Sequence, residues 1–209
     1  MNFASLVRHD NPVYQALLLG GACAIVSLAL IAGYSMTWET IQQEEMLDQL
    51  NSLNQVMDAE LYDNNPLDKV EYLPDDRLLA PAELLIARKA DVVTATAMQV
   101  EIAGWGGPLD MLVATNPAGE ILGVRVIRHK ETPGLADKIE IAKSQWITGF
   151  NGHSLANTTD QQWAVKKDNG IFDQFTGATI TPRAVVKGVK TALDVQARWQ
   201  ASQQPAAQN

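Results

Sequence analysis

From Asn11 to Trp38 the chain carries no charged residue, and Leu17, Leu18, Leu19, Ile25, Val26, Leu28, Leu30 and Ile31 make it apolar throughout. About 20 such residues are enough to cross a bilayer, so the pattern predicts a membrane-spanning helix over 13–37. Tyr14, Tyr34 and Trp38 sit near its ends, where amphipathic rings prefer the headgroup region. A cleaved leader would carry a shorter apolar run and a small-residue cleavage site, so this helix is expected to stay in place. Beyond it, Ile41, Met46, Leu47, Leu50, Leu53, Val56, Met57 and Leu61 recur at three- and four-residue steps among Gln, Glu, Asp and Asn. That spacing predicts an amphipathic linking helix within 38–66, packed on the following domain. Asp63-Asn64-Asn65-Pro66 would end it, because the residue before proline avoids the helical region.

Past this point the period changes from helical to alternating. Thr94 to Ile102 and Leu122 to Arg128 alternate, and Met111 to Ala114 lies between them. Gly104-Trp105-Gly106-Gly107-Pro108 and Asn116-Pro117-Ala118-Gly119 supply the breaks, so three strands in an antiparallel meander are predicted. No helical pattern follows the glycine cluster, which excludes a dinucleotide-binding fingerprint. Residues 67–89 read as short mixed pieces, Asp137 to Lys143 as a short helix, and Trp163-Ala164-Val165 as a last strand. Val185, Val186, Val189, Ala192 and Leu193 then recur at helical spacing, with Thr181 as N-cap and Pro182 in the first helical position. The fold class expected is α+β: a tail over 1–12, the spanning helix, the linking segment, one domain over 67–200 with an antiparallel sheet and flanking helices, and a disordered tail over 201–209.

Composition narrows the chemistry. The net charge of the 209 residues is -8, and no basic patch is available to meet nucleic-acid phosphates. A single cysteine, Cys23, lies inside the apolar run, which leaves no disulfide framework and no iron-sulfur or zinc ligand set. Arg8 precedes the span and no Lys or Arg follows until Lys69. Positive-inside therefore places the tail in the cytoplasm and the domain outside, in the periplasm of a bacterium.

The candidate chemistry lies between Asp173 and Pro182. Thr176, Thr179 and Thr181 bring three hydroxyls to a bend made by Gly177 and Ala178, just ahead of a helix start, where N–H groups and the dipole favour an anion such as phosphate. By pattern alone this is also an ordinary turn entering a capped helix. Asp173-x-x-Thr176-Gly177-Ala178-Thr179-x-Thr181 resembles the flavinylation motif of the FMN-binding domain in the G-type component (RnfG/RsxG) of the Rnf/Rsx electron-transport complex. It is similar as well to that of the C-type component of the sodium-translocating NADH:quinone reductase. The resemblance implies that Thr179 is esterified to the phosphate of FMN. A threonine hydroxyl is a poor nucleophile without a base or metal to activate it. The family accordingly implies a separate flavin transferase that uses FAD and magnesium.

A second stretch, Glu131-Thr132-Pro133-Gly134-Leu135, is by pattern a polar surface turn, yet it too resembles this domain. There the family implies contacts to the flavin ring from Glu131, Thr132, Gly134 and Leu135, with Lys138 a further candidate. His129 is taken as a partly exposed loop histidine without a catalytic role. Trp105, Trp146 and Trp163 are weighed as stacking partners against ordinary core positions. The resemblance covers nearly the whole chain and implies an electron-carrying component of an ion-translocating oxidoreductase in the bacterial inner membrane. Its expected partners are the membrane and iron-sulfur subunits of such a complex. The C-type component of the sodium pump is the alternative, disfavoured by its greater length, and a non-redox membrane anchor is a third.

Overall fold

The computed structural model describes residues 12–203. Arg8, on which the orientation rests, and residues 204–209 of the expected tail lie outside the described residues. The chain divides into two units between Gln49 and Leu50. Helix α1 spans Pro12–Asn54, and its Pro12–Trp38 part is long and apolar enough to cross a membrane. Leu17, Leu19, Ile25 and Leu30 are all largely exposed along it, as a lipid-facing surface requires.

The linking helix is shorter than the apolar spacing suggested. It ends at Asn54, and a 3-10 turn over Ala59–Leu61 and another over Pro66–Asp68 replace its expected continuation. Val56 and Met57 are both about 3% exposed; they enter the core from irregular chain instead of from one helix face. Ile41, Met46 and Leu47 remain exposed.

In the second unit β1 (Glu71–Leu73), β2 (Ala82–Lys89), β3 (Val92–Ala103), β4 (Pro108–Thr115) and β5 (Ile121–Arg128) form an antiparallel meander in chain order. Met98 pairs Leu84 on one side and Val113 on the other. Alternation sorts the side chains onto two covered faces. Leu84, Ile86, Met98, Val100, Ile102, Met111 and Val113 join the main core under helix α2 (Ile180–Gln203), which contributes Val185, Val186, Val189 and Leu193. On the opposite face Leu85, Ala87, Ala95, Ala97, Leu112 and Ala114 pack against Leu53, Val56 and Met57. Burial of each large apolar side chain contributes roughly 1.5–3 kcal/mol.

Two polar devices fix α2 on the sheet. Gln196, Thr96 and Thr115 are all buried; the Gln196 amide donates to both hydroxyls, which lie 3.1 Å from each other. Nearer the surface, Asp75 accepts from Arg77 and Arg198 while Arg77 also reaches Asp194 at 2.6 Å. The Arg77 guanidinium, with Arg198 beside it, holds the Asp75 carboxyl well below the usual carboxylate range.

The expected strand at Trp163 to Val165 does not form. Val165 makes one isolated parallel bridge to Phe172, and Trp163 stacks on Phe172 with ring centroids 5.4 Å apart. The short helix expected over 137–143 is a 3-10 turn, Asp137–Ile139. Helix α2 runs to Gln203, so the chain from Ala201 to Gln203 is helical and not part of a disordered tail.

Candidate cofactor-binding site

The bend before α2 is built locally. Phe175 is anchored in the core beside Trp146, ring centroids 5.1 Å apart, and the Ala178 N–H returns to the Phe175 carbonyl at 3.1 Å. Gly177 closes that turn at φ +83°, the left-handed third position that glycine occupies most easily. Arg183 grips Asp168 through two parallel bonds of 2.5 and 2.7 Å, a fork geometry that ties the start of α2 to the segment leading into the bend. Each partner strengthens the charge of the other: Arg183 lowers the Asp168 carboxyl and Asp168 raises the guanidinium.

Helix α2 begins at Ile180, so Thr179 and not Thr181 occupies the residue before it. The Thr179 carbonyl accepts the Arg183 N–H, whereas its hydroxyl has no hydrogen-bond partner among the described residues. Thr181, expected to cap the helix, instead donates its hydroxyl to Glu131 Oε2 at 2.5 Å. Pro182 sits in the first turn, where a missing N–H leaves nothing unsatisfied.

In front of Thr179 opens a cavity of about 360 Å³, lined by Trp105, Thr132, Leu135, Ala136 and Gly177 to Thr181. That volume falls in the range of about 300–1,000 Å³ typical of small-molecule sites. The structure thus brings the two sequence stretches together: Thr132 and Leu135 line one cavity with Gly177, Ala178, Thr179 and Thr181, and a Cβ on Gly177 would lie 3.2 Å from Leu135 Cδ1. No charged side chain lines it. An anion there would meet the free Thr179 hydroxyl and the Ile180 and Thr181 N–H groups, which have no carbonyl one turn back. Trp105, 67% exposed, and Leu135 would meet an apolar ring. The residues present therefore fit a group that joins a phosphate to a flat aromatic system.

Other expected contacts lie elsewhere. Thr176 is exposed outside the cavity. Asp173 pairs with Lys166 at 2.7 Å, and its carbonyl accepts the Trp146 indole N–H. Gly134 gives its N–H to Asp137 Oδ2 at 2.8 Å and forms no part of the lining. Glu131 is also absent from the lining: its Oε1 accepts the Trp105 and Gly106 N–H groups at 2.9 and 3.2 Å. The resemblance implied Glu131 as a ring contact; here its two oxygens are engaged by these N–H groups and by the Thr181 hydroxyl. Lys138 is exposed and outside the lining. Trp146 and Trp163 belong to the aromatic core, so of the three tryptophans only Trp105 reaches the cavity. Ala136 and Ile180 join the lining without having been singled out; their neighbours in both motifs were the available signal.

His129 links the loop to the next turn. Its Nδ1 accepts the Glu131 N–H at 3.1 Å, so Nε2 carries the proton that meets Glu140 Oε1 at 2.9 Å. Lys143 lies 2.8 Å from Asp137 and 2.7 Å from Glu140, and it holds both carboxyls below their ordinary values. Among the described residues no group of His, Cys, Asp and Glu is arranged to hold a metal.

The FMN-binding domain family matches residues 104–194, from the glycine turn that carries Trp105 to the far half of α2. Proteins named as the G-type component of an ion-translocating oxidoreductase complex resemble the chain over most of its length. That of Stutzerimonas stutzeri is 53% identical over 91% of this chain and 83% of its own. Those of Yersinia pestis and Shewanella loihica are 44% and 42% identical, covering 88% and 87% of this chain and 87% of each relative. The folded unit contains an FMN-binding domain, and the chain belongs to the RnfG/RsxG family, the G-type components of ion-translocating oxidoreductase complexes.

Proposed function

We propose that this chain is the electron-carrying component of a membrane-bound Rnf/Rsx-type complex and that it holds FMN as a phosphoester of Thr179. The observation that carries this reading is the Thr179 hydroxyl. It is unpartnered among the described residues, stands immediately before α2 and lines a cavity to which Trp105, Leu135 and Ala136 contribute apolar surface. The relatives named above are components of ion-translocating oxidoreductases, which supports a redox role for the family's cofactor.

Each residue then has a task. Thr179 contributes the ester oxygen, and the Ile180 and Thr181 N–H groups donate to the remaining phosphate oxygens. Trp105 and Leu135 flank the ring, with Thr132 offering a hydroxyl at its edge. Gly177 and Ala178 leave room for the phosphate to approach. No base hydrogen-bonds to the Thr179 hydroxyl among the described residues, so a transferase with FAD and magnesium makes the bond: the hydroxyl oxygen attacks the FMN phosphorus of FAD, AMP leaves, and the hydroxyl proton is lost. Bound there, the flavin supplies exchange of electrons, while the protein fixes its position and surroundings.

In this reading the domain lies in the periplasm, anchored by α1 to the inner membrane with the N-terminus in the cytoplasm. Arg8 before the span, and the lack of Lys or Arg after it until Lys69, support this. A soluble cofactor facing a dilute outer compartment would be lost unless its affinity were extreme, and an ester bond removes that loss. It also permits an open site, from which electrons pass to membrane and iron-sulfur subunits of the complex. The test is peptide-level mass spectrometry of the full chain taken from its native membranes. The tryptic fragment 168–183 is expected to carry one FMN phosphoryl group localised to Thr179; an unmodified fragment overturns the proposal.

A further inference from the structure

Glu131 is a carboxylate only 4% exposed, yet no Lys, Arg or His side chain pairs with it among the described residues. Three neutral donors hold it: the Trp105 and Gly106 N–H groups on Oε1 and the Thr181 hydroxyl on Oε2. The approach is close. A Cβ on Gly104 would lie 2.4 Å from Oε1, and one on Gly106 would lie 1.9 Å from the Lys130 carbonyl oxygen. Only glycine lets the turn close over this loop. An isolated buried anion is costly even when its hydrogen bonds are made. A neutral glutamine would tie the same segments together without that cost.

The donors come from two distant parts of the chain that both contribute to the cavity lining. Trp105 lies in the turn between β3 and β4, Thr181 in the first turn of α2, and both line the space. We infer that Glu131 is a positioning residue for the flavin, setting the separation of the Trp105 wall from the Thr179–Thr181 wall and keeping an unneutralised negative charge one hydrogen bond behind each. This rests on the FMN reading above. Adding an electron to a ring beside that charge is disfavoured by Coulomb repulsion in a poorly solvated setting. Glu131 therefore biases the site toward the oxidised cofactor and a lower midpoint potential.

The experiment compares wild type, Glu131→Gln and Glu131→Leu as full chains in detergent after co-expression with the transferase. Three quantities are read: flavin per polypeptide, midpoint potential by spectroelectrochemistry, and hydrogen exchange of the Trp105 and Gly106 amides. Glutamine keeps an acceptor for both amides and a partner for the Thr181 hydroxyl. It is expected to load flavin within about two-fold of wild type, since its hydrogen bonds are of ordinary strength, and to titrate at a more positive potential. Leucine offers no acceptor, so exchange at the two amides should accelerate at least about ten-fold, the factor for one lost bond to a charged group, and loading should fall. A wild-type potential in Glu131→Gln overturns the electrostatic part. Wild-type amide protection in Glu131→Leu overturns the positioning part. If wild type itself carries no flavin, the FMN reading and the electrostatic part fail together, and the exchange data still decide whether Glu131 joins the walls.

Discussion

Asp137 Oδ2 accepts the Gly134 N–H at 2.8 Å, and Lys143 reaches the same oxygen at 2.8 Å. The loop that brings Thr132 and Leu135 to the cavity thus hangs from one buried carboxylate held in its charged form by a half-exposed lysine.

That arrangement has a defined pH dependence. Lys143, and then the Gly134 N–H, depress the Asp137 carboxyl; Lys143 and His129 depress Glu140. A carboxyl depressed in the folded state stabilises above its unfolded value, about 4, and loses that contribution as pH falls through the folded value. Asp75 and Asp168 act in the same sense. The melting temperature is therefore expected to fall below about pH 4. Lys143, raised by Asp137 and Glu140, contributes at neutral pH and loses its contribution only as pH climbs through its raised folded value. Lys143→Met should lower the melting temperature at pH 7 and flatten its acid dependence in thermal scans from about pH 2 to 7.

Thr179→Ala is expected to abolish covalent flavin, read as loss of in-gel flavin fluorescence. Its hydroxyl makes no capping bond, so the substitution should cost less than the ~1 kcal/mol of an ordinary cap deletion. Thr176→Ala, outside the cavity, should reduce attachment less. Undiminished fluorescence in Thr179→Ala would refute the assignment.

Gln196→Ala removes the donor shared by Thr96 and Thr115 and leaves two buried hydroxyls with only each other. A loss of about 1–3 kcal/mol in urea unfolding is expected, plus a cavity contribution from the missing side-chain atoms.

Gly106→Ala forces the turn away from the Lys130 carbonyl. A cost of about 1–3 kcal/mol is expected from the forced backbone shift, together with faster exchange at the Trp105 amide. Normal exchange and stability would show that the turn is not held closed.

Much of the sheet was legible because β3 and β5 alternate. β4 is an unbroken apolar run, Met111-Leu112-Val113-Ala114, and was placed by the glycine and Asn-Pro turns on either side of it, and the meander followed. β2 was missed for a physical reason: Leu84-Leu85-Ile86-Ala87 is buried on both faces and has no period, and its turn into β3 is made by Ala90 and Asp91 at positive φ, with no glycine to mark it. Val56, Met57 and Leu61 kept helical spacing while entering the second core from turns, which lengthened the expected linking helix. Both site stretches were readable, and the cavity does join Thr132 and Leu135 to Gly177, Ala178 and Thr179. What the local pattern did not carry was the partner of Thr181. A threonine before proline looks like a cap, and the acceptor that diverts it lies 50 residues away.

The walls around Thr179 come from three distant parts of the chain, joined through one carboxylate at position 131. Such a pocket does not exist in a nascent or half-collapsed polypeptide, where the same hydroxyl would sit on a loose strand with no space beside it. Any enzyme that decorates this threonine by recognising the pocket can act only once the domain is complete. Yellow colour on the polypeptide would then report successful maturation as well as redox competence.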